Sequence, residues 1–181
     1  MKKTPWTDDG HKELADAVRW AHASVASITQ CLRTAAMTNI GDRLMTALFG
    51  IWIDLDGHKH AAYCPDDWNG RKLSSLGISL DSRRPLTLEE LKLLGPRIKA
   101  LGVFLTHLHV AVGRAYPLHS ALFARVRRAQ RAHSRLRSQL DDLACKTCPG
   151  CEALSIFYGA DDGPPQGGSR RLGGLRRIAQ G

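Results

Sequence analysis

Apolar residues that recur alternately three and four apart share one face of an α-helix, and this chain holds that spacing over long stretches. Leu14, Val18, Ala21, Val25, Ile28, Leu32 and Ala35 keep it for three heptads. Ile98, Leu101, Leu105, Leu108 and Val112 repeat it, and Leu118, Leu122, Val126, Ala129, His133, Leu136, Leu140 and Leu143 form a third stripe. Stripes of this length must face one another to leave water, so the spacing predicts a mainly α protein, an antiparallel bundle of three long helices. Aromatic residues, at 6%, are too sparse for an all-β sandwich.

Local signals place the boundaries. Thr7, Asp8 and Asp9 offer capping oxygens and negative charge, and Thr38-Asn39-Ile40-Gly41 offers a helix end, which predicts a first helix over 8–38. Leu44, Leu48, Ile51 and Leu55 fit a helix, but Ile51-Trp52-Ile53-Asp54-Leu55 also alternates as a strand does. Asp56-Gly57 tips the balance toward a β-hairpin insert over 50–63. Thr87-Leu88-Glu89-Glu90 is a capping box, with Leu86 and Leu91 as its hydrophobic staple, so a second long helix runs over 88–113, broken or kinked at Gly95-Pro96. Pro117 suits the first turn of a third helix over 117–144, and the short turn before it makes these two helices antiparallel. From Ala160, Gly, Pro, Gln, Ser and Arg replace the apolar pattern, and 160–181 reads as a flexible basic tail on a helical domain of residues 1–159.

Charge is segregated along the chain. Residues 1–90 hold 11 Lys/Arg against 12 Asp/Glu, and 141–181 hold five of each, whereas 91–140 hold 10 basic residues and no acid. The whole net charge of +9 therefore comes from one segment. Arg125, Arg127, Arg128, Arg131 and Arg135 lie off the apolar stripe of the last helix, where they can follow a phosphate backbone with charge-assisted contacts. A merely solvated helix face is the plain alternative. Neither a helix-turn-helix nor aromatic stacking residues accompany the arginines, so the expected nucleic-acid binding is not sequence-specific.

Cys145-Lys146-Thr147-Cys148-Pro149-Gly150-Cys151 carries two successive Cys-x-x-Cys spacings in a Cys-rich corner, and Pro-Gly favours a tight turn between the last two thiols. Cys145, Cys148 and Cys151 supply three ligands of a structural zinc site. Counting outward from the turn near residue 115 sets Cys145 level with Leu86, beside the connector, which makes Cys64 the preferred fourth ligand and His60 its substitute. An iron–sulfur cluster is the alternative, although proline after the second cysteine departs from ferredoxin-like spacing. Free, reduced thiols are the plain reading. Cys31, beside the first stripe, is expected to be a small buried hydrophobe.

No nucleophile elbow, phosphate loop, dinucleotide fingerprint or His-Glu-x-x-His motif occurs, so a non-enzymatic protein is expected. His107 and His109 point to different helix faces, and His133, standing in an apolar seam, reads as a satisfied core histidine. No apolar run reaches the roughly 20 residues needed to cross a bilayer, and Met1 to Trp6 lead into Asp8-Asp9 rather than a signal-peptide core, so a cytoplasmic protein without a membrane partner is expected. A rival to nucleic-acid binding is a protein-interaction module. In that reading the excess seam forms a homodimer or receives a partner helix, and the arginines are solubilising rims.

Overall fold

The first apolar stripe does not belong to a single helix. The structure, a computed structural model, describes residues 8–56, 84–147 and 156–158. It contains the helices α1 (Asp8–Cys31), α2 (Ala35–Asp56), α3 (Leu88–Ala115) and α4 (Ala121–Thr147), and a helical turn at 156–158. Thr34 makes the division: its hydroxyl accepts from the Met37 N–H at 3.2 Å and its carbonyl from the Thr38 N–H at 2.9 Å, so it caps a new helix three residues after α1 ends. The expected helix over 8–38 is thus two helices, and the described residues hold four long helices rather than three.

The expected β-hairpin is corrected by the same element. Residues 50–56 form the last turns of α2, while 57–63 lie outside the described residues. Leu44, Leu48, Ile51 and Leu55 are all buried, which a helix achieves on one face. A strand would set Ile51 and Leu55 on its own face without Leu48, and the neighbouring helices offer no strand for it to pair with. The local alternation of Ile51 to Leu55 loses to the longer helical period because only the latter serves the packing. No strand occurs among the described residues.

α1 packs on α2, α2 on α4, α4 on α3 and α3 on α1. Polar contacts fix the directions. The His11 ring near the start of α1 is hydrogen-bonded to the Tyr116 hydroxyl just past α3 at 2.5 Å, Arg125 near the start of α4 pairs with Asp54 near the end of α2, and His133 of α4 reaches Ile98 of α3. All adjacent helices are therefore antiparallel. α2 and α3 occupy opposite corners, and the end of α2 and the start of α3 lie at opposite ends, the arrangement of a bundle with one long crossover. α1 and α3 meet through bulky groups, with the Trp20 ring edge-on to Phe104 at 6.5 Å between centroids.

The capping box forms as read: the Thr87 hydroxyl accepts from the Glu90 N–H, and the Glu90 carboxylate accepts from the Thr87 N–H at 3.0 Å. Glu90 is buried, and Arg84 satisfies it with two donors at 2.6 and 3.1 Å. α3 then runs through Pro96 without ending. The start of α4 shifts from the expected Pro117 to Ala121, because Ser120 is the better cap: its hydroxyl accepts from the Phe123 N–H at 3.2 Å while Pro117 opens the preceding turn. α4 also extends to Thr147, which places Cys145 inside its last turn rather than beyond the helix.

Gly41, expected as a helix end, lies within α2 and marks its closest approach to α1. A β-carbon there would fall 2.9 Å from Thr29 Cγ2 and nearer still to its hydroxyl. Gly41→Ala is therefore expected to destabilise the protein by about 1–3 kcal/mol despite alanine's better helix propensity, measured by denaturant unfolding. Adding Thr29→Ala to the same chain should recover most of that loss. A single Gly41→Ala variant as stable as the parent contradicts the contact.

Candidate functional site

The solvent side of α4 is built by subtraction. Leu122, Val126, Ala129, His133, Leu136 and Leu140 turn inward and are buried, so residues opposite them face water. Arg127, Arg128, Arg131 and Arg135 are exposed there. At 100° per residue they cover an arc of about 100°, and they extend along about 12 Å of helix. None of the four forms an ion pair with a described residue. Arg125 has a different role: half-buried, it pairs with Asp54 and donates to the Gly50 carbonyl at 3.4 Å, joining α4 to α2. Gly50 leaves room for it, since a β-carbon there would sit 3.1 Å from Arg125 Cδ. The sequence grouped Arg125 with the other arginines, because distance from the apolar stripe does not reveal an acid on a neighbouring helix.

Of the expected metal ligands, Cys145 is exposed on the last turn of α4, and Cys64, Cys148 and Cys151, with His60, lie outside the described residues. Among the described residues no group of three His, Cys, Asp or Glu side chains is placed to hold a metal. Cys31 is fully buried, with its thiol directed to the Ser27 carbonyl at 3.4 Å, and burial pushes the thiol pKa up, which suits an inert core residue. No described helix is long and apolar enough to cross a membrane.

A groove of about 600 Å³ opens between α3 and α4, and residues 156–158 form one of its walls. Two glycines of α3 make this possible. At Gly95 a β-carbon would fall 2.5 Å from the Ile156 carbonyl oxygen, so the returning chain lies directly on the helix backbone. At Gly102 it would fall 2.9 Å from His133 Cε1, so the imidazole occupies the space a side chain would fill. Phe157 is buried, and Tyr158 lies beneath the Arg137 guanidinium, 4.3 Å from its ring centroid. Sequence reading missed this wall. Ile156, Phe157 and Tyr158 form too short an apolar run to signal an element, and their partners are distant in the chain.

His133 is the buried polar group at the base of the groove. Its Nε2 bonds the Ile98 carbonyl oxygen at 2.8 Å as the donor, which leaves Nδ1 as the lone-pair nitrogen of the neutral ring. Burial lowers its pKa; the Ile98 hydrogen bond works against that shift, and nearby Arg137 adds to it. His109 is held otherwise, with Nδ1 2.6 Å from Gln130 Oε1 and its ring against Phe123, so the two α3 histidines do face different ways as expected.

The lowered His133 pKa fixes the sign of a pH effect. The unfolded chain gains this proton near the ordinary histidine value of 6.5 while the folded chain resists it, so stability is full above that pH and falls as pH drops below it. His133→Leu is expected to flatten part of the decline in Tm from about pH 7.5 to 5.5, leaving stability at the upper pH within about 1 kcal/mol of the parent. His22, whose pKa burial also lowers, accounts for some of the remaining slope. An identical pH slope in the variant overturns the assignment of the effect to His133.

Comparison with protein-family models, with curated proteins and with solved structures finds no match for this chain.

Proposed function

We propose that this is a non-enzymatic helical protein that binds nucleic acid through its phosphates, without sequence preference, using the outer face of α4. The observation that carries the reading is the exposed set Arg127, Arg128, Arg131 and Arg135 in a segment, 91–140, that contains no acid. Side chains one turn apart with like charge repel one another, and a polyanion along the face converts that repulsion into attraction. Arginine forks suit phosphate oxygens, and each neutralised phosphate releases counterions. The fold also bears on the rival reading, a homodimer or partner-helix module. α2 packs on both α1 and α4 and takes up apolar seam on which that reading rested, while Leu93, Val103 and Val110 remain exposed on α3 as the surface such a partner would use.

A structural zinc site at Cys145, Cys148 and Cys151, completed by Cys64, belongs to the same proposal, with an iron–sulfur cluster as the alternative. Supporting it is the position of Cys145 in the last turn of α4, eleven residues before Ile156, which sits on Gly95. A metal joining the thiolates would tie the two together and couple binding to folding.

Two experiments test these readings. Log affinity for a mixed-sequence duplex is expected to fall linearly with log salt, with a slope of about −3.6 for roughly four phosphates. Replacing Arg127, Arg128, Arg131 and Arg135 together by Glu should abolish binding with helicity retained. Protein that ignores nucleic acid at low salt but elutes as a dimer disrupted by Leu136→Asp supports the rival instead. For the metal, purified protein is expected to carry one zinc per chain by elemental analysis, lost in Cys148→Ser together with a lower Tm. Metal-free protein whose Tm ignores chelator overturns that part, and visible absorbance with bound iron transfers it to the cluster.

A further inference from the structure

α3 carries two stripes at helical spacing, on opposite sides. The inner one, Leu91, Leu94, Ile98, Leu101, Leu105, Leu108 and Val112, is buried in the bundle. On the outer side Leu93, Pro96, Ala100, Val103, His107 and Val110 repeat the same alternation of three and four, which keeps them in line along the helix as in a coiled-coil seam. Leu93 is 46% exposed, Val103 38% and Val110 40%. Single exposed apolar side chains are ordinary, but several in line on one helix face form a patch of the kind that marks a contact surface. Helix formation does not call for them, since valine is a poorer helix former than the lysine, glutamate or glutamine that usually faces water.

The same spacing carries the outer seam to a charge at each end, Glu89 before Leu93 and Arg114 after Val110, both exposed. The resulting positions are symmetric about the middle of the helix. In an antiparallel pair of two such helices, Glu89 lies opposite the partner's Arg114, Leu93 opposite the partner's Val110, Pro96 opposite the partner's His107 and Ala100 opposite the partner's Val103. Apolar thus meets apolar near the ends and at the centre, and acid meets base at both extremes. The flanking cations also avoid one another, with Lys99 beside the partner's Thr106 and Lys92 beside the partner's Gly113. Within one chain Glu89 pairs with Lys92 at 3.2 Å, an exposed contact of little worth that leaves the carboxylate open to a second cation. A parallel pair sets each residue opposite itself, so acid meets acid and base meets base. Sliding the antiparallel pair by a heptad separates Glu89 from the partner's Arg114.

We propose that a second copy of this chain docks on this face, forming an antiparallel two-fold dimer through the outer seam of α3. The seam runs about 38 Å from Glu89 to Arg114. Its few large apolar side chains, and the charge of +9 on each copy, make the dimer a weak one, with a Kd of about 10–100 μM. α4 lies along the Lys99 and Thr106 edge of α3, and like edges meet in a two-fold antiparallel pair, so both α4 helices fall on the same side of the dimer. The dimer does not rest on nucleic-acid binding, and the two readings fail separately.

The test is sedimentation velocity of the full-length protein, stripped of nucleic acid, over a concentration series at physiological salt, which screens the repulsion between copies. A monomer–dimer equilibrium in the stated range is expected. Val103→Glu and Val110→Glu each act twice in a two-fold dimer and should raise Kd at least about tenfold, with helicity retained because both positions are exposed and glutamate is a good helix former. Thr46→Glu adds the same charge at an exposed position of α2, the corner opposite α3, and should leave Kd within about twofold. Glu89→Arg alone and Arg114→Glu alone set like charges against each other at both ends, and each should raise Kd several-fold. Combined in one chain they should return Kd to within about twofold of the parent. A mixture of the two single variants should form a heterodimer tighter than either homodimer, whatever each substitution does to its own helix end. Protein that stays monomeric at about 500 μM overturns the proposal. So does a dimer indifferent to Val103→Glu and Val110→Glu, or one that neither the combined exchange nor the mixture strengthens.

Discussion

An apolar helix stripe is stable only beside another, and α2 is the element that gives the stripes of α1 and α4 a common neighbour. Without it, α1 would have only α3, which it meets across bulky side chains such as Trp20 and Phe104. Burial of one large aliphatic side chain is worth about 1.5–3 kcal/mol, so the Leu44, Leu48, Ile51 and Leu55 stripe is among the larger favourable contributions to the fold. Its position depends on small features. Thr34 starts the helix, Gly41 lets it approach α1, and Gly50 lets Arg125 lie across it toward Asp54. A close-packed interior gives little latitude at such points.

The sequence disclosed features whose cause is local and concealed those whose cause is a neighbour. The apolar spacing located most of the buried residues of α1, α3 and α4, although Ala35 and Leu118 at the ends of their stripes are exposed; the Thr87 to Glu90 capping box fixed the start of α3, and His133 in its seam found the expected hydrogen bond. α2 was misread because Gly41 and Asp56-Gly57 have the composition of turns. In a helix, a glycine may instead mark where another chain segment passes, and only the packed structure distinguishes the two. Arg125 and the wall at 156–158 were illegible for a related reason. Their meaning lies in Asp54, Gly95 and Arg137, which are remote in sequence. Of the four thiols in the expected metal set, three fall outside the described residues.

The arginines of α4 divide by what surrounds them. Arg125 has an acid within reach and serves cohesion between helices; Arg137 lies on an aromatic ring in a groove; the other four face water. Like charges one turn apart cost a helix about 0.2–0.5 kcal/mol per pair, so the exposed arginine face burdens α4. His133 adds a second tension, since acid conditions favour a charge the interior disfavours. The first strain falls on the outer face of α4 and the second on its interface with α3.

The crossover has a consequence for how the chain assembles. Each half of the molecule is an antiparallel helix pair closed by a short turn, α1 with α2 and α3 with α4, and each pair is held by contacts between residues near in sequence. Such pairs form quickly, and the slow event is the docking of one on the other along α2 with α4 and α1 with α3. Besides carrying the buried Leu86 and the Arg84 that pairs with Glu90, the covalent link between Asp56 and Leu88 keeps the halves at high effective concentration. Cut within that link, the chain is a two-part protein whose hairpins recognise each other through the same apolar stripes, a natural template for fragment complementation.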